Sequence, residues 1–228
     1  MSEESRIQEV YERRRIDKGG LYSWFNKGHL YMVQEVERAL LILLSKSGID
    51  SLEGKAILDI GCGSGSWIQE FLKLGAAPEN LAGVDLLEWR IDAARRSCPA
   101  GIRLKCGSAE KLDFSDRSFD VVTQFVVFSS ILDSNMKQQV ASEMLRVLKD
   151  DGFIIWYDFF VRDPRNKNVK GIDKNALRQL FPGCQIELRR ITLAPPLVRL
   201  IAPRSWLLCY ALEKLKLFDT HYLGFIRK

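Results

Sequence analysis

From Lys55 onward the chain alternates short, solid apolar runs with longer segments whose apolar residues recur every three or four positions, and few folds accept that alternation. The runs "AILDI", "LAGVD", "IRLKC", "FDVVTQF" and "GFIIWYDFF" read as strands buried on both faces. Between most of them lie "WIQEFLKLG", "EWRIDAARRS" and "NMKQQVASEMLRVLK", each with a helical period. Strand and helix in repetition predict an α/β fold with a mostly parallel sheet covered on both faces. Gly75 and Gly152 fall where helices are expected to stop.

After the fifth strand come a basic loop, "RDPRNKNVKG", a short helix, "DKNALRQLF", and a sixth strand, "QIELRRITL"; "THYLGFIRK" supplies a seventh. The segment between the last two, "APPLVRLIAPRSWLLCYALEKLKLF", is long for a hairpin connection and predicts an inserted helical cap. Residues 1–54 are mostly helical in pattern, with "LYMVQEVERALLILLSKSG" forming an amphipathic helix closed by Gly48. Before it, "GGLYSWFNKGH" gathers aromatic residues among glycines and reads as a mobile lid or as a plain surface loop. The expected organisation is one domain over residues 1–228: an N-terminal helical lid (1–54), a binding core (55–193), then the cap and last strand (194–228).

Composition narrows the class of partner. With 46% hydrophobic residues, 228 positions suffice for one sizeable core. The net charge of +5 is spread over both halves, a weak argument for nucleic acid. Cys62, Cys98, Cys106, Cys184 and Cys209 form no CxxC pair and are odd in number, so they read as reduced thiols rather than a disulfide frame or a metal site. The opening "MSEESRIQEVYERRR" lacks the apolar core of a signal peptide, and a cytoplasmic location is expected. Arg199, Pro203 and Arg204 interrupt the apolar cap well short of the roughly 20 residues of a membrane span. It reads as a cover over an apolar substrate or, because basic residues border it, as an interfacial contact with a lipid-linked acceptor. The arginine-rich loop either meets a phosphate or carboxylate or is simply solvated.

The chemistry concentrates in "KAILDIGCGSGSW". A strand, a turn with glycines at alternate positions, and then Ser66 with Gln69 three residues on, spaced as a capping box, build a nucleotide-binding crevice at a strand end. About 20 residues later "LAGVD" ends in Asp85, placed to accept both hydroxyls of a ribose. A dinucleotide site would space its glycines GxGxxG and favour positive potential around a pyrophosphate. Here the spacing is GxGxG and Asp59 stands just before it, which suits a ligand carrying an ammonium and a sulfonium.

With these features the chain resembles the class I S-adenosylmethionine-dependent methyltransferases. "ILDIGCGSG" looks like their first motif and "GVDLL" their second; "CGSAEKLDF", "SFDVVTQFVVFSSILD" and "EMLRVLKDDGFIIWYDF" are similar to the later ones, over about residues 50–195. The resemblance implies a Rossmann-like, seven-stranded, mostly parallel sheet and S-adenosyl-L-methionine as cofactor. It puts Asp59, Gly61, Cys62 and Gly63 around the methionine portion, Asp85 on the ribose and Leu86 against the adenine. Where the family often has an adenine-binding Asp this chain has Ser108, leaving Ala109 N–H and Glu110 as substitutes. Gln124 and Phe125 fall where backbone carbonyls meet the methionine ammonium.

For the acceptor, several subclasses lack their residues here. The turn after strand four reads "TQFVVF" rather than the Asn/Asp-Pro-Pro-aromatic of base-methylating enzymes, no Pro-Cys nucleophile exists, and the paired-glutamate loop of protein arginine methyltransferases is missing. Methyl transfer needs positioning and, for a hydroxyl, removal of a proton. His29, His221 and Asp158 are the candidate bases, each with an alternative structural role. The expected reaction is methyl transfer, at oxygen, to a small or lipid/glycan-linked acceptor. An RNA or protein methyltransferase, a non-catalytic cofactor-binding regulator and a nicotinamide oxidoreductase remain as alternatives, the last disfavoured by Asp59.

Overall fold

A computed structural model describes residues 2–17, 20–161 and 166–228. Gly19 of the aromatic segment and Arg162 to Arg165 of the basic loop lie outside the described residues. Seven strands form one sheet: β1 (Ile57–Ile60), β2 (Leu81–Asp85), β3 (Arg103–Cys106), β4 (Phe119–Phe125), β5 (Leu148–Phe159), β6 (Gln185–Leu193) and β7 (Asp219–Arg227). Their order is β3-β2-β1-β4-β5-β7-β6, parallel from β3 through β5, with β7 antiparallel to both neighbours. The α/β, mostly parallel sheet expected from the alternating pattern is therefore the sheet observed.

Alternation along β1 explains how both faces are covered. Leu58 and Ile60 point into a core shared with α5 (Ser134–Val147) and α6 (Lys174–Leu180) through Val140, Met144 and Leu177. Ile57 points to the other face, where Val36, Leu40 and Leu43 of α2 (Lys27–Lys46), Phe71 of α3 (Ser66–Lys73) and Ile91 of α4 (Glu88–Ser97) cover the sheet. α2 is capped by Asn26, whose side chain accepts from the N–H groups of Gly28 and His29, and it stops just before Gly48 at φ +72°. Helix α1 (Glu3–Asp17) crosses the opposite side: Arg6 Nη2 donates to Ser130 O (2.6 Å), Tyr11 Oη pairs with Ser130 Oγ (2.9 Å), and Ile7 enters the core.

The inserted cap is α7 (Pro195–Ile201) and α8 (Trp206–Leu215). It packs on the start of α2 through a small cluster of Tyr31, Leu193, Val198, Ala202 and Cys209. Among the described residues, no helix is long and apolar enough to cross a membrane.

Two local expectations are overturned. Gly152 ends no helix: α5 gives way directly to β5 at Leu148, and Gly152 sits inside that strand, where a Cβ would come within 2.8 Å of Asp120 O. The register with β4 shifts there, so the glycine serves a bulge. The capping box also fails to form. Gly65, at φ +83°, is the N-cap of α3 with no side-chain hydrogen bond, and Ser66 is already the first helical residue.

The β5–β7–β6 edge has its own close contact. A Cβ on Gly224 would lie 1.8 Å from the Glu187 carbonyl oxygen, so Gly224→Ala must push β6 away. Chemical denaturation should register a loss of about 2–4 kcal/mol; wild-type stability would show that these strands are not packed as described.

Candidate active site

The sheet order reverses between β1 and β4, and the space above that point is open. Gly61 leaves β1 at φ +67°, and a Cβ there would fall 2.5 Å from Val127 Cγ2 in the turn after β4. Only glycine satisfies both the left-handed backbone and that approach. Opposite it, Val126 holds a positive φ of +61°, unusual for a β-branched residue, and its N–H donates to Tyr157 O at 2.7 Å. The buried Gln124 side chain fixes this turn, donating to Tyr157 O (3.2 Å) and accepting from Val127 N–H (3.0 Å).

One cavity of about 1260 Å³ runs from there across the carboxyl ends of the strands. Its β1–β3 end is lined by Gly61, Asp85, Leu86, Ser108 and Ala109, with Ile7 and Tyr11 of α1 and Trp89 and Arg90 of α4 closing over them. Asp85 accepts from Leu87 N–H with Oδ1 and from Gly63 N–H with Oδ2, both at 2.9 Å, which locks the glycine turn to the end of β2. Arg90 Nη1 lies 3.8 Å from that carboxylate while its guanidinium covers the Tyr11 ring at 4.4 Å. Ser108 accepts from Glu110 N–H (3.3 Å), and the Glu110 side chain stays off the cavity wall.

Asp59 stands behind the wall rather than in it. It is 2% exposed, its one side-chain donor among the described residues is Thr123 Oγ1 at 2.6 Å, and burial, with the nearby Asp85 charge, pushes its pKa up to about 7. A buried acid with so little compensation gains from a cationic ligand nearby. Cys62 and Gly63 also lie outside the lining.

The other end of the cavity is built by α2, the cap and the β5–β7 edge: His29, Met32, Val36, Phe125, Tyr157, Phe159, Pro195, Pro196, Arg199 and His221. His221 is stacked on Tyr157 (centroids 4.7 Å, 5° between planes) and pairs through Nδ1 with Thr220 Oγ1 at 2.9 Å. Burial drives its pKa down to about 3, so the imidazole is neutral. His29 is half-buried, meets Tyr22 and Trp24 edge-on, and is held below the ordinary imidazole range by burial and then by Arg199. Glu35 supports this wall: its carboxylate accepts from Thr192 N–H (2.7 Å) and Leu193 N–H (3.2 Å), and burial raises its pKa to about 7.

Asp158, the third candidate base, does not face the cavity. It is fully buried, and its oxygens accept from Ser129 N–H (3.0 Å) and Phe159 N–H (2.8 Å), so it braces the turn after β4. Among the lining residues that the sequence did not single out are Ile7, Tyr11, Trp67, Trp89 and Arg90. Trp67 stacks on Phe125 at 3.8 Å, and Trp89 Nε1 is a buried donor with no partner among the described residues. The spacing of Ile7 and Tyr11, four apart in a charged helix, was the available signal for α1.

These features fit a cationic nucleoside of the kind the sequence implies. Asp85 offers a carboxylate at the strand end, the glycine turn admits close backbone approach, Trp89 Nε1 is an unmet donor, and Asp59 supplies buried negative potential.

Comparison with known proteins agrees. Residues 57–152 match the family described as Methyltransferase domain. The 2-methyl-6-phytyl-1,4-hydroquinone methyltransferase of Synechocystis is 31% identical over 137 residues, 59% of this chain and 42% of that protein. The tRNA N(3)-methylcytidine methyltransferase trm140 of Schizosaccharomyces pombe is 29% identical over 147 residues, 59% of this chain and 46% of that protein. The chain thus spans about half the length of the curated relatives it matches. A crystal structure of an S-adenosylmethionine-dependent methyltransferase from Mesorhizobium loti superposes with a TM-score of 0.56 at 18% identity, over 80% of this chain and 95% of that one, a likeness of fold. The matched segment 57–152, which carries the glycine turn and the strand-end Asp85 on a Rossmann-like sheet, is thus similar to the methyltransferase domains of S-adenosylmethionine-dependent enzymes.

Proposed function

We propose that this chain, acting as one domain in the cytoplasm, transfers a methyl group from S-adenosylmethionine to a hydroxyl of an apolar small molecule or lipid-linked acceptor. The observation that carries the reading is the size and division of the cavity. Its volume of about 1260 Å³ exceeds the roughly 300–1,000 Å³ of a pocket for one ligand. A carboxylate and a glycine turn line one end; the other is mostly aliphatic and aromatic, with two imidazoles and Arg199. The phytylhydroquinone enzyme among the relatives is named for an acceptor of this apolar kind.

When bound, S-adenosylmethionine supplies an electrophilic methyl on a positively charged sulfur. Asp85 holds the ribose hydroxyls, Leu86 and Ala109 flank the base, and the strained Val126 turn with Gly61 presents backbone to the methionine portion. Asp85 in the lining and Asp59 behind it set carboxylates beside the methionine portion, where they favour a sulfonium, while Arg14, Arg15 and Arg90 line the outer side of the same end. His29 takes the acceptor proton, because it lines the cavity half-buried, whereas deep burial strongly lowers the basicity of His221. The neutral His221 ring orients the acceptor oxygen, and Phe159, Met32 and Val36 exclude water from it.

A second reading, methylation of tRNA, is favoured by the matches to two tRNA N(3)-cytidine methyltransferases, trm140 and METTL2, and is separated by offering the enzyme tRNA beside a lipid extract with labelled cofactor. Label in the lipid fraction supports the first reading; label confined to tRNA replaces it.

Calorimetry tests the cofactor. S-adenosylhomocysteine should bind and NAD should not; the reverse contradicts the assignment. Asp59 sharpens the test through pH. Its folded pKa of about 7 stands above the ordinary 3.8, so the stability this group contributes is fully present below about pH 4 and is lost as pH rises through 7. Asp59→Asn should therefore denature later than wild type at pH 8, by roughly 1–3 kcal/mol, with a flatter profile between pH 5 and 8, yet bind cofactor more weakly. A variant less stable at pH 8 would contradict this.

For the base, His29→Ala should lower turnover about a hundredfold, and the wild-type rate should fall on the acid side below the usual imidazole pKa. Undiminished turnover in that variant removes His29 from the mechanism.

A further inference from the structure

The cap presents to solvent what surface helices ordinarily bury. Along α8 the buried residues are Cys209 and Glu213, with Leu212 packed beside Cys209 and Trp206 edge-on to Tyr31, and Glu213 accepts from Tyr31 Oη (2.8 Å) and Arg38 Nη2 (3.1 Å). The exposed positions include Leu207, Leu208, Tyr210, Ala211 and Leu215 beside Lys214, with Leu207 78% exposed. Leu217, 73% exposed, and Phe218 continue the apolar surface toward β7, and Leu200 on α7 is 62% exposed. Most of the apolar side chains of α8 thus face solvent rather than the body, and apolar surface of this extent marks a docking face.

The charge on that face is of one sign. Between residues 194 and 218 the basic side chains, Arg199, Arg204, Lys214 and Lys216, are all exposed. The one acid in that span, Glu213, is buried and paired. Lys216 pairs with the buried Asp219 at 3.4 Å, and a second copy of the same face would still set Arg199, Arg204 and Lys214 against themselves, which disfavours self-association. An anionic lipid surface complements both the apolar and the positive character. The start of α2 continues the face: Phe25 is 98% exposed, Trp24 is exposed, and Lys27 Nζ lies 3.5 Å from Pro203 O between the two cap helices. Pro195, Pro196 and Arg199 of α7 belong at once to the cap and to the cavity wall.

We propose that the cap, together with the Trp24–Phe25 turn, docks the protein on an anionic bilayer surface with the acceptor end of the cavity toward the lipid. The consequence, that the acceptor moves from bilayer to cavity without crossing water, rests on the methyltransferase reading above; the docking does not.

The full chain is sedimented with vesicles of phosphatidylcholine alone and of phosphatidylcholine with phosphatidylglycerol, at low and high salt. Wild type should pellet with the anionic vesicles only, and less at high salt. Leu207→Glu/Leu215→Glu and Arg204→Glu/Lys214→Glu should each lower partitioning about tenfold or more while binding S-adenosylhomocysteine as wild type does, which also reports that they fold. Wild type left in the supernatant with every vesicle, or both variants pelleting like wild type, overturns the proposal. So does a lipid-free dimer, seen by light scattering, that Leu207→Glu/Leu215→Glu dissolves. Vesicle binding without S-adenosylhomocysteine binding upholds the docking and sinks the methyltransferase reading; the converse sinks the docking alone.

Discussion

The close approach of Gly61 to Val127 sets the rest of the site. It occurs where the sheet order reverses, so the chains leaving β1 and β4 diverge above it and open a crevice that no side chain fills. Everything around it keeps that opening in shape. Gln124 and Asp158 hold the turn after β4 from below, Asp85 ties the glycine turn to β2, and Val126 is kept in a strained conformation by its bond to Tyr157. The strain and the buried Asp59 both cost folding free energy, as expected where a structure is arranged for a ligand.

The sheet was legible because parallel strands covered on both faces read as unbroken apolar runs. "LAGVD" and "FDVVTQF" match β2 and β4 residue for residue, and "QIELRRITL" matches the antiparallel edge strand β6, whose first residues alternate in exposure instead. What the sequence hid was local and directional. Gly152 has the spacing of a helix terminator, yet the strand begins before it because Leu148 already pairs with Phe119. Ser66 and Gln69 have the spacing of a cap, but a glycine in the left-handed region takes the N-cap position.

Side-chain direction was the other gap. Asp158 and Gln124 sit at the carboxyl ends of strands, where site residues are expected, but both side chains turn into the fold to satisfy backbone N–H or C=O groups. The contribution of α1 was hidden for a different reason: its apolar stripe is narrow in a strongly charged helix, and its docking depends on Arg6 and Tyr11 reaching Ser130 across the chain. The cap was legible as an insertion; that most of the apolar side chains of α8 face solvent emerges only once Cys209 and Glu213 are seen to be its buried residues.

The central claim is that one cavity holds the cofactor at the Asp85 end and the acceptor at the histidine end. A crystal structure with S-adenosylhomocysteine tests it most directly. Ribose hydroxyls are expected on Asp85, the methionine portion beside Gly61 and Val126, and the sulfur facing the space between His29 and His221. A nucleoside lying instead among His29, Pro195 and His221, with Asp85 uncontacted, would contradict it.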